Sequence, residues 1–395
     1  MILEKKIADV FTFIRNGVSI KQDSSSGGVP ITRIETIASE KIDEKRVGYA
    51  DLDYGNLGKY EGYLLKEGDI LMSHINSPKH LGKSAIYEGS PRHLIHGMNL
   101  LCLRAKLEVC YPKYMSYYFA SQNFKSDLMK ISNQSVNQAS FSAGNLKKLK
   151  IPLPDLETQK RIAQILEDAA ALRDKTKELL GEYDKLAQSI FLDMFGDPVV
   201  NPKGWEKEQI QSLGKTITGN TPSRKIKEYY GDFIEWVKTD NINTPEMYLT
   251  SAMEYLSESG LRVGRSVNKG AILVTCIAGS RKVIGNVAVA NRRVAFNQQI
   301  NAFEPKNKIS MFWYYQFVLA KPYVQNFSTN GMKGIITKGK FQLIKFINPP
   351  IDLQNQFADK IALIEQQKEL AKQELKEAED LFNCLLQKAF KGELV

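Results

Sequence analysis

Three stretches of this chain carry residue types that do chemistry in other proteins, and each suggests a different reaction. Asn348-Pro349-Pro350-Ile351 has the outline of the tetrapeptide with which amino-methyltransferases grip a flipped base. That chemistry needs an aromatic fourth residue to stack on the base. Here the fourth residue is Ile351, and no glycine-rich loop after a strand supplies a methyl-donor site. His93 and His96 precede Cys102 and Cys110, yet zinc is held by closer pairs of these residues, and nothing equivalent recurs later in the chain. Asp155, Glu157 and Lys160 supply the carboxylates and lysine of a nuclease at the wrong spacing. There is no Walker lysine motif and no Ser/His/Asp arrangement. The residue types therefore favour neither catalysis nor a bound metal.

Basic and amide side chains on loops between strands suit DNA, where phosphate contacts position a reader and base contacts specify. The loop 76–83 carries Lys79, His80, Gly82 and Lys83, and its counterpart 278–282 carries Gly279, Arg281 and Lys282. Glycine lets a backbone approach closely, and Lys or Arg meets phosphate or guanine. A second pair is 132–138, with Gln134 and Asn137, and 329–334, with Asn330, Met332 and Lys333; amide side chains pair with adenine in the major groove. Arg33 with Lys238, the loop 221–225 with Arg224 and Lys225, and Lys338 complete the candidates. A solvated turn is the competing reading at each position, and it is the pairing between halves that lifts the set above its members.

Those pairs exist because the chain repeats itself. The segment 5–10 answers 207–213, 31–37 answers 236–242, 66–71 answers 268–273, and 154–159 answers 351–356. The offset falls from 205 to 197 along the chain, as loop-length differences would make it. Within each half, short apolar runs such as 69–75 and 271–277, bounded by Gly, Pro and Ser, read as strands. A helix is expected at 112–130 and again at 310–326, giving an α+β domain. Each half then ends in a long heptad-patterned helix. In the first, Ile162, Ile165, Ala169, Leu172, Thr176, Leu179, Tyr183, Leu186 and Ile190 step by threes and fours. In the second, Phe357, Ile361, Ile364, Lys368, Ala371, Leu375, Ala378, Phe382, Leu385 and Ala389 do the same, with Lys368 the one polar member. Such alternation is a coiled-coil seam. One long amphipathic helix does not stand alone in water. The two either pack on each other or each take a partner protein, and Leu166, Phe191, Phe195 and Phe390 leave apolar surface outside the expected seam.

The expected order is thus α+β domain 1–150, helix 151–197, α+β domain 198–348 and helix 349–395, two similar domains separated by two long antiparallel helices in circular pseudo-two-fold symmetry. Leu3 should then lie near Gly392. The chain has 395 residues and a net charge of +10, a basic surplus that suits a polyanion. Four cysteines without paired spacing, no signal peptide and no apolar run long enough for a bilayer give the expectation of a reduced, cytoplasmic protein.

Two motifs give a family resemblance. The stretch 154–163, closing with Met194-Phe195-Gly196-Asp197, resembles the central helical region of specificity subunits of Type I restriction-modification systems, and Lys388-Ala389-Phe390-Lys391-Gly392-Glu393-Leu394 resembles their distal one. The resemblance implies a subunit without catalysis of its own. Each recognition domain would read one half of a bipartite double-stranded DNA site, and the helices would fix the gap. It also implies two modification subunits that bring S-adenosylmethionine and methylate adenine, with ATP-driven restriction subunits able to join. The rival readings are a tandem-domain methyltransferase or nuclease with its own activity, and a coiled-coil protein adaptor.

Overall fold

The computed structural model describes residues 3–23, 27–329, 331 and 333–394. The chain forms two compact units, Met1–Lys177 with Gln373–Val395, and Glu178–Lys372. Both division points fall inside the long helices, Leu156–Phe195 and Ile351–Lys391. Each recognition sheet is covered by half of one long helix and half of the other.

In unit 1 a four-stranded antiparallel sheet runs in the order Phe11–Asn16, Leu100–Ala105, Ile70–Ser73, Ser84–Ile86. Its central strands are buried on both faces, which is why they read as unbroken apolar runs. The two-residue side-chain period sorts them: Ile70, Met72, Leu101 and Leu103 enter the helix-covered core, while Leu71, Leu100 and Cys102 enter a smaller cluster on the other face. Unit 2 repeats the sheet with Gly214–Thr218, Ile300–Pro305, Ile272–Thr275 and Val287–Val289 in the same order. The chain ends meet the expected circular arrangement. Leu3–Lys6 pairs with Lys150–Leu153, and Leu394 rests on the same unit 1 core.

The helix expected at 112–130 is two helices, Pro112–Ala120 and Gln122–Lys130. Ser121 breaks them: its backbone is extended and its hydroxyl accepts from the Phe124 amide, capping the second helix. The partner region likewise divides into Ser310–Leu319 and Lys321–Gln325, with Pro322 in the first turn of the second, where its missing N–H costs nothing.

The helix starts are fixed by buried glutamines. Gln159 is fully buried; its amide donates to the carbonyls of Val109 (2.9 Å) and Pro154 (2.8 Å), and its oxygen accepts from the Tyr111 amide (2.8 Å). Gln354 does the same work in unit 2, donating to the Pro349 carbonyl (2.7 Å) and Asn348 Oδ1 (3.0 Å) and accepting from Asn307 Nδ2 (2.8 Å). Gln159 therefore corresponds to Gln354, not to Gln356, and the repeat at this point has an offset of 195.

Within each unit the two helix halves run antiparallel. In unit 2, Phe191 and Phe195 meet Phe357 with ring centroids 5.3 and 5.6 Å apart, and Asp184 pairs with Lys368 at 2.7 Å. In unit 1, the Arg173 guanidinium lies 4.8 Å from the Phe382 ring, and Ile162 and Leu166 share a core with Leu386 and Phe390. On the second helix Phe357, Ile361 and Ile364 are buried, and Leu375, Phe382 and Leu385 half-buried, along the expected seam. The first helix differs. Ile162 and Ala169 are buried and Ile165 and Ile190 half-buried, but Leu172, Leu179 and Leu186 are 51%, 40% and 47% exposed. Alternate seam positions move one residue along, to Leu166, Arg173, Leu180 and Ala187. At these places the sequence offers neighbouring apolar residues, Ile165-Leu166, Leu179-Leu180 and Leu186-Ala187, so period alone does not choose. The 195 offset does, making Arg173 the counterpart of Lys368. Leu166, Phe191, Phe195 and Phe390, expected outside the seam, are buried in the unit cores.

Candidate nucleic-acid interface

In each unit the chain leaves a central strand, makes a short excursion and returns. In unit 1 the excursion opens after Ser73 and closes where Gly82 N donates to Ser73 O (2.8 Å) and Ser73 N to Lys83 O (2.8 Å). In unit 2, Gly285 N donates to Thr275 O and Thr275 N to Asn286 O, both at 2.9 Å. Gly82 and Gly285 take φ of +74° and +81°, the left-handed region where a Cβ is unfavourable; at Gly82 a Cβ would also lie 2.2 Å from Leu128 Cδ2. Gly285, not Gly279, is thus the counterpart of Gly82. Each excursion holds a short strand and one turn of 3-10 helix, Pro78–His80 or Arg281–Val283.

The second candidate loop joins the first through the backbone. The hairpin Asn133–Gln134 with Ala139–Ser140 adds to Ile75–Asn76 in the register Ala139↔Asn76 and Ser140↔Ile75. In unit 2, Gly334–Ile335 pairs with Ile277–Ala278 in the register Ile277↔Ile335. Two loops far apart in sequence thus become one surface in each unit. Lys79, Gln134 and Asn137 are exposed on the first and Arg281, Lys282, Lys333 and Lys338 on the second, with His80 half-buried. Asn330 and Met332 lie outside the described residues.

Other candidates are held differently. Lys83 donates its ammonium to the Ala38 carbonyl (2.8 Å) and lines a cavity of about 560 Å3 with Glu167, Arg173 and Asp174 of the long helix. Its head is engaged on the helix side, which removes it from the exposed loop set. Arg33 and Lys238 occupy equivalent places at the starts of Ile34–Ile37 and Thr239–Asn241, each backbone amide donating to the side chain three residues on. The Arg33 Nε donates to Gln22 Oε1 at 2.5 Å. Lys238 is paired with Glu254, which also takes Arg224 at 2.5 Å. The hydrogen bond from Lys238, and then that from Arg224, hold the Glu254 carboxyl below its usual range. Arg224 stacks on Tyr230 and Trp236 with its guanidinium carbon 4.4 and 5.0 Å from the ring centroids. Lys225 beside it is exposed.

Sequence reading missed the short capped helices that follow each second loop. Ser142 accepts from Asn145 N (3.0 Å) at the start of Ala143–Lys148, and Thr337 from Lys340 N (3.4 Å) at the start of Lys338–Gln342. They place Lys147, Lys148 and Lys340 on the exposed surface. The signal was present, a Ser/Thr-x-Gly cap at 142–144 and 337–339, again at an offset of 195. Among the described residues no cluster of three His, Cys, Asp or Glu side chains is placed to hold a metal. Asn348 is tied into the helix start: its Nδ2 donates to Glu208 Oε1 (2.7 Å) while its Oδ1 accepts from Gln354.

The family model for the Type I restriction modification DNA specificity domain matches this chain twice, over residues 3–181 and 202–380. The chain belongs to that family. As a Type I specificity subunit it has relatives along its whole length. A Methanocaldococcus jannaschii protein, described as the specificity subunit of the type I restriction enzyme MjaX, is 30% identical over 397 aligned residues, covering 95% of this chain and 89% of that one. The Mycoplasma genitalium Type I S subunit structure superposes with a TM-score of 0.54 at 15% identity, covering 99% of this subunit and 96% of that chain. A chain from a study of type I R-M complex assembly and conformational transition superposes with a TM-score of 0.59 at 17% identity, covering 100% and 98%. At such identities the two structures speak for the fold, which is shared from end to end. Among its described residues the specificity subunit has no helix long and apolar enough to cross a membrane.

Proposed function

We propose that each unit of this specificity subunit reads one half of a bipartite double-stranded DNA target and that the subunit performs no chemistry itself. One observation carries the reading: two equivalent excursions on sheets of the same strand order, each joined through the backbone to a second loop, present Lys79 in one unit and Arg281 and Lys282 in the other. The long helices, 40 and 41 residues at ~1.5 Å rise, are each roughly 60 Å long. They set the separation of the half-sites, which is best read from one face near whole turns of ~34 Å. Their outward leucines, Leu172, Leu179 and Leu186 on one helix and Leu363, Leu370 and Leu381 on the other, are solvent-exposed and receive two modification subunits. Those subunits bring S-adenosylmethionine and methylate adenine; ATP belongs to restriction subunits where they join. The compartment is the cytoplasm, where the DNA is.

Mapping methylated adenines in the source genome with and without this chain tests the proposal. The expected outcome is a bipartite motif lost on deletion; an unchanged methylome, or methylation by the purified subunit alone, overturns it. Replacing Lys79, Arg281 and Lys282 by alanine should flatten the dependence of log K on log salt by about 2 to 3, near 0.9 per phosphate contact. An unchanged slope removes these loops from the interface.

A further inference from the structure

We infer that Val136 reads a thymine 5-methyl group in the major groove of the half-site engaged by unit 1, an inference that rests on DNA reading by that unit. Val136 is 96% exposed at the tip of the hairpin whose strands are Asn133–Gln134 and Ala139–Ser140. The tip is closed by Ser135, whose amide and hydroxyl both donate to the Gln138 carbonyl at 2.7 and 2.9 Å. Its base is fixed: Ala139 and Ser140 pair with Asn76 and Ile75, Phe141 N donates to His74 O (3.1 Å), and the buried Phe141 ring lies edge-on to His74. A two-stranded ribbon whose exposed tip carries a single apolar side chain is thus anchored to the rest of the unit through its base.

The surroundings of Val136 select its ligand. No residue from 132 to 142 is charged, in a chain of net charge +10, so this ribbon is not a phosphate clamp. Gln134, Asn137 and Gln138 flank the valine and are exposed. The major groove admits a two-stranded ribbon, its adenines pair with Asn and Gln, and the thymine methyl is the apolar group on its base edges. One valine among four exposed amides, Asn133 included, is therefore the complement of a short A·T-containing run.

The test uses the full chain with its modification subunits and duplexes in which deoxyuridine replaces each thymine of the unit 1 half-site in turn. Deoxyuridine pairs like thymine and lacks only the methyl. At one position it should weaken binding about four-fold, the value of one buried methyl-sized group. Val136→Ala should weaken binding to the thymine duplex by a similar factor and be insensitive to deoxyuridine at that position. The side chain is solvent-exposed, so an unchanged melting curve checks that the variant folds. If Val136→Ala binds as tightly as the parent, or if the deoxyuridine penalty persists undiminished in the variant, the inference fails while selective binding of the bipartite target leaves the wider reading standing. Absence of sequence-selective binding altogether overturns both.

Discussion

The two units share a sheet but differ in what they bury inside it. Unit 1 holds an ion pair, Asp69 with Arg104 at 2.6 Å, the Asp69 side chain only 1% exposed. At the equivalent places unit 2 has Ala271 and Glu304. The turn before the strand shows how both work. In unit 1 the Lys66 amide donates to Asp69 Oδ2 (2.8 Å), and in unit 2 the matching Asn268 amide donates to Glu304 Oε1 (3.2 Å). One carboxylate satisfies that amide in each unit, but from opposite strands. Unit 1 also buries His74 and His96 where unit 2 has Cys276 and Phe296. The backbone positions match, since Phe141 N donates to His74 O and Ile336 N to Cys276 O. The frame thus constrains the backbone and leaves the interior chemistry free, so the halves should fail under different stresses.

The largest effect should come from Arg104→Ala. It strands the buried Asp69 carboxylate, and breaking such a pair costs about 3–5 kcal/mol, measurable by denaturant unfolding. Combining Asp69→Ala with Arg104→Glu installs the unit 2 arrangement and should recover most of the loss. Failure of the pair to recover would mean that the two solutions are not interchangeable. Next comes acid. Burial holds the His96 imidazole down at about 4 and lowers His74 too. Above pH 6.5 both folded and unfolded states are neutral and nothing is at stake. As pH falls below 6.5 the unfolded chain takes up the proton first, and stability drains until about pH 4, by about 3 kcal/mol at 1.36 per pH unit. His96→Phe, the unit 2 residue, should flatten that acid slope, leaving the smaller share from His74; an unaltered slope would show that His96 does not govern it.

How much of this was legible depended on whether one signal had competitors. The second long helix was legible along its whole seam, Lys368 included: every position that steps by threes and fours from Phe357 to Ala389 is buried or half-buried. The first was not, because Leu179-Leu180 and Leu186-Ala187 offer two seams, and the 195 offset that separates them emerges only from the hydrogen bonds of Gln159 and Gln354. The repeat was legible from strand and turn segments, but its register at the helix start was set by hydrogen bonds of Gln159 and Gln354 that no periodicity reports. The loop candidates were legible as types. Their convergence was not, since the pairing of 139–140 with 75–76 is long-range. Nor was the withdrawal of Lys83, whose partner is the backbone carbonyl of Ala38.

The smallest expected effect sharpens the comparison at the surface. Arg33 in unit 1 is held by the neutral amide of Gln22, whereas Lys238 at the same place in unit 2 is held by Glu254, which also takes Arg224. Two cations on one carboxylate present a net charge near +1, so unit 2 meets phosphate with less charge than its sequence suggests. Glu254→Gln would give unit 2 the kind of neutral partner that unit 1 has. If Arg224 and Lys238 lie along the DNA, freeing their charge should tighten binding at low salt and steepen the log–log salt slope by about 1, one further phosphate contact. If the pair instead serves to hold Trp236 and Tyr230 in place, the same change leaves the slope alone and lowers thermal stability. Salt titration together with a melting curve separates the two, because a surface cation moves the first and a stacking clamp moves the second.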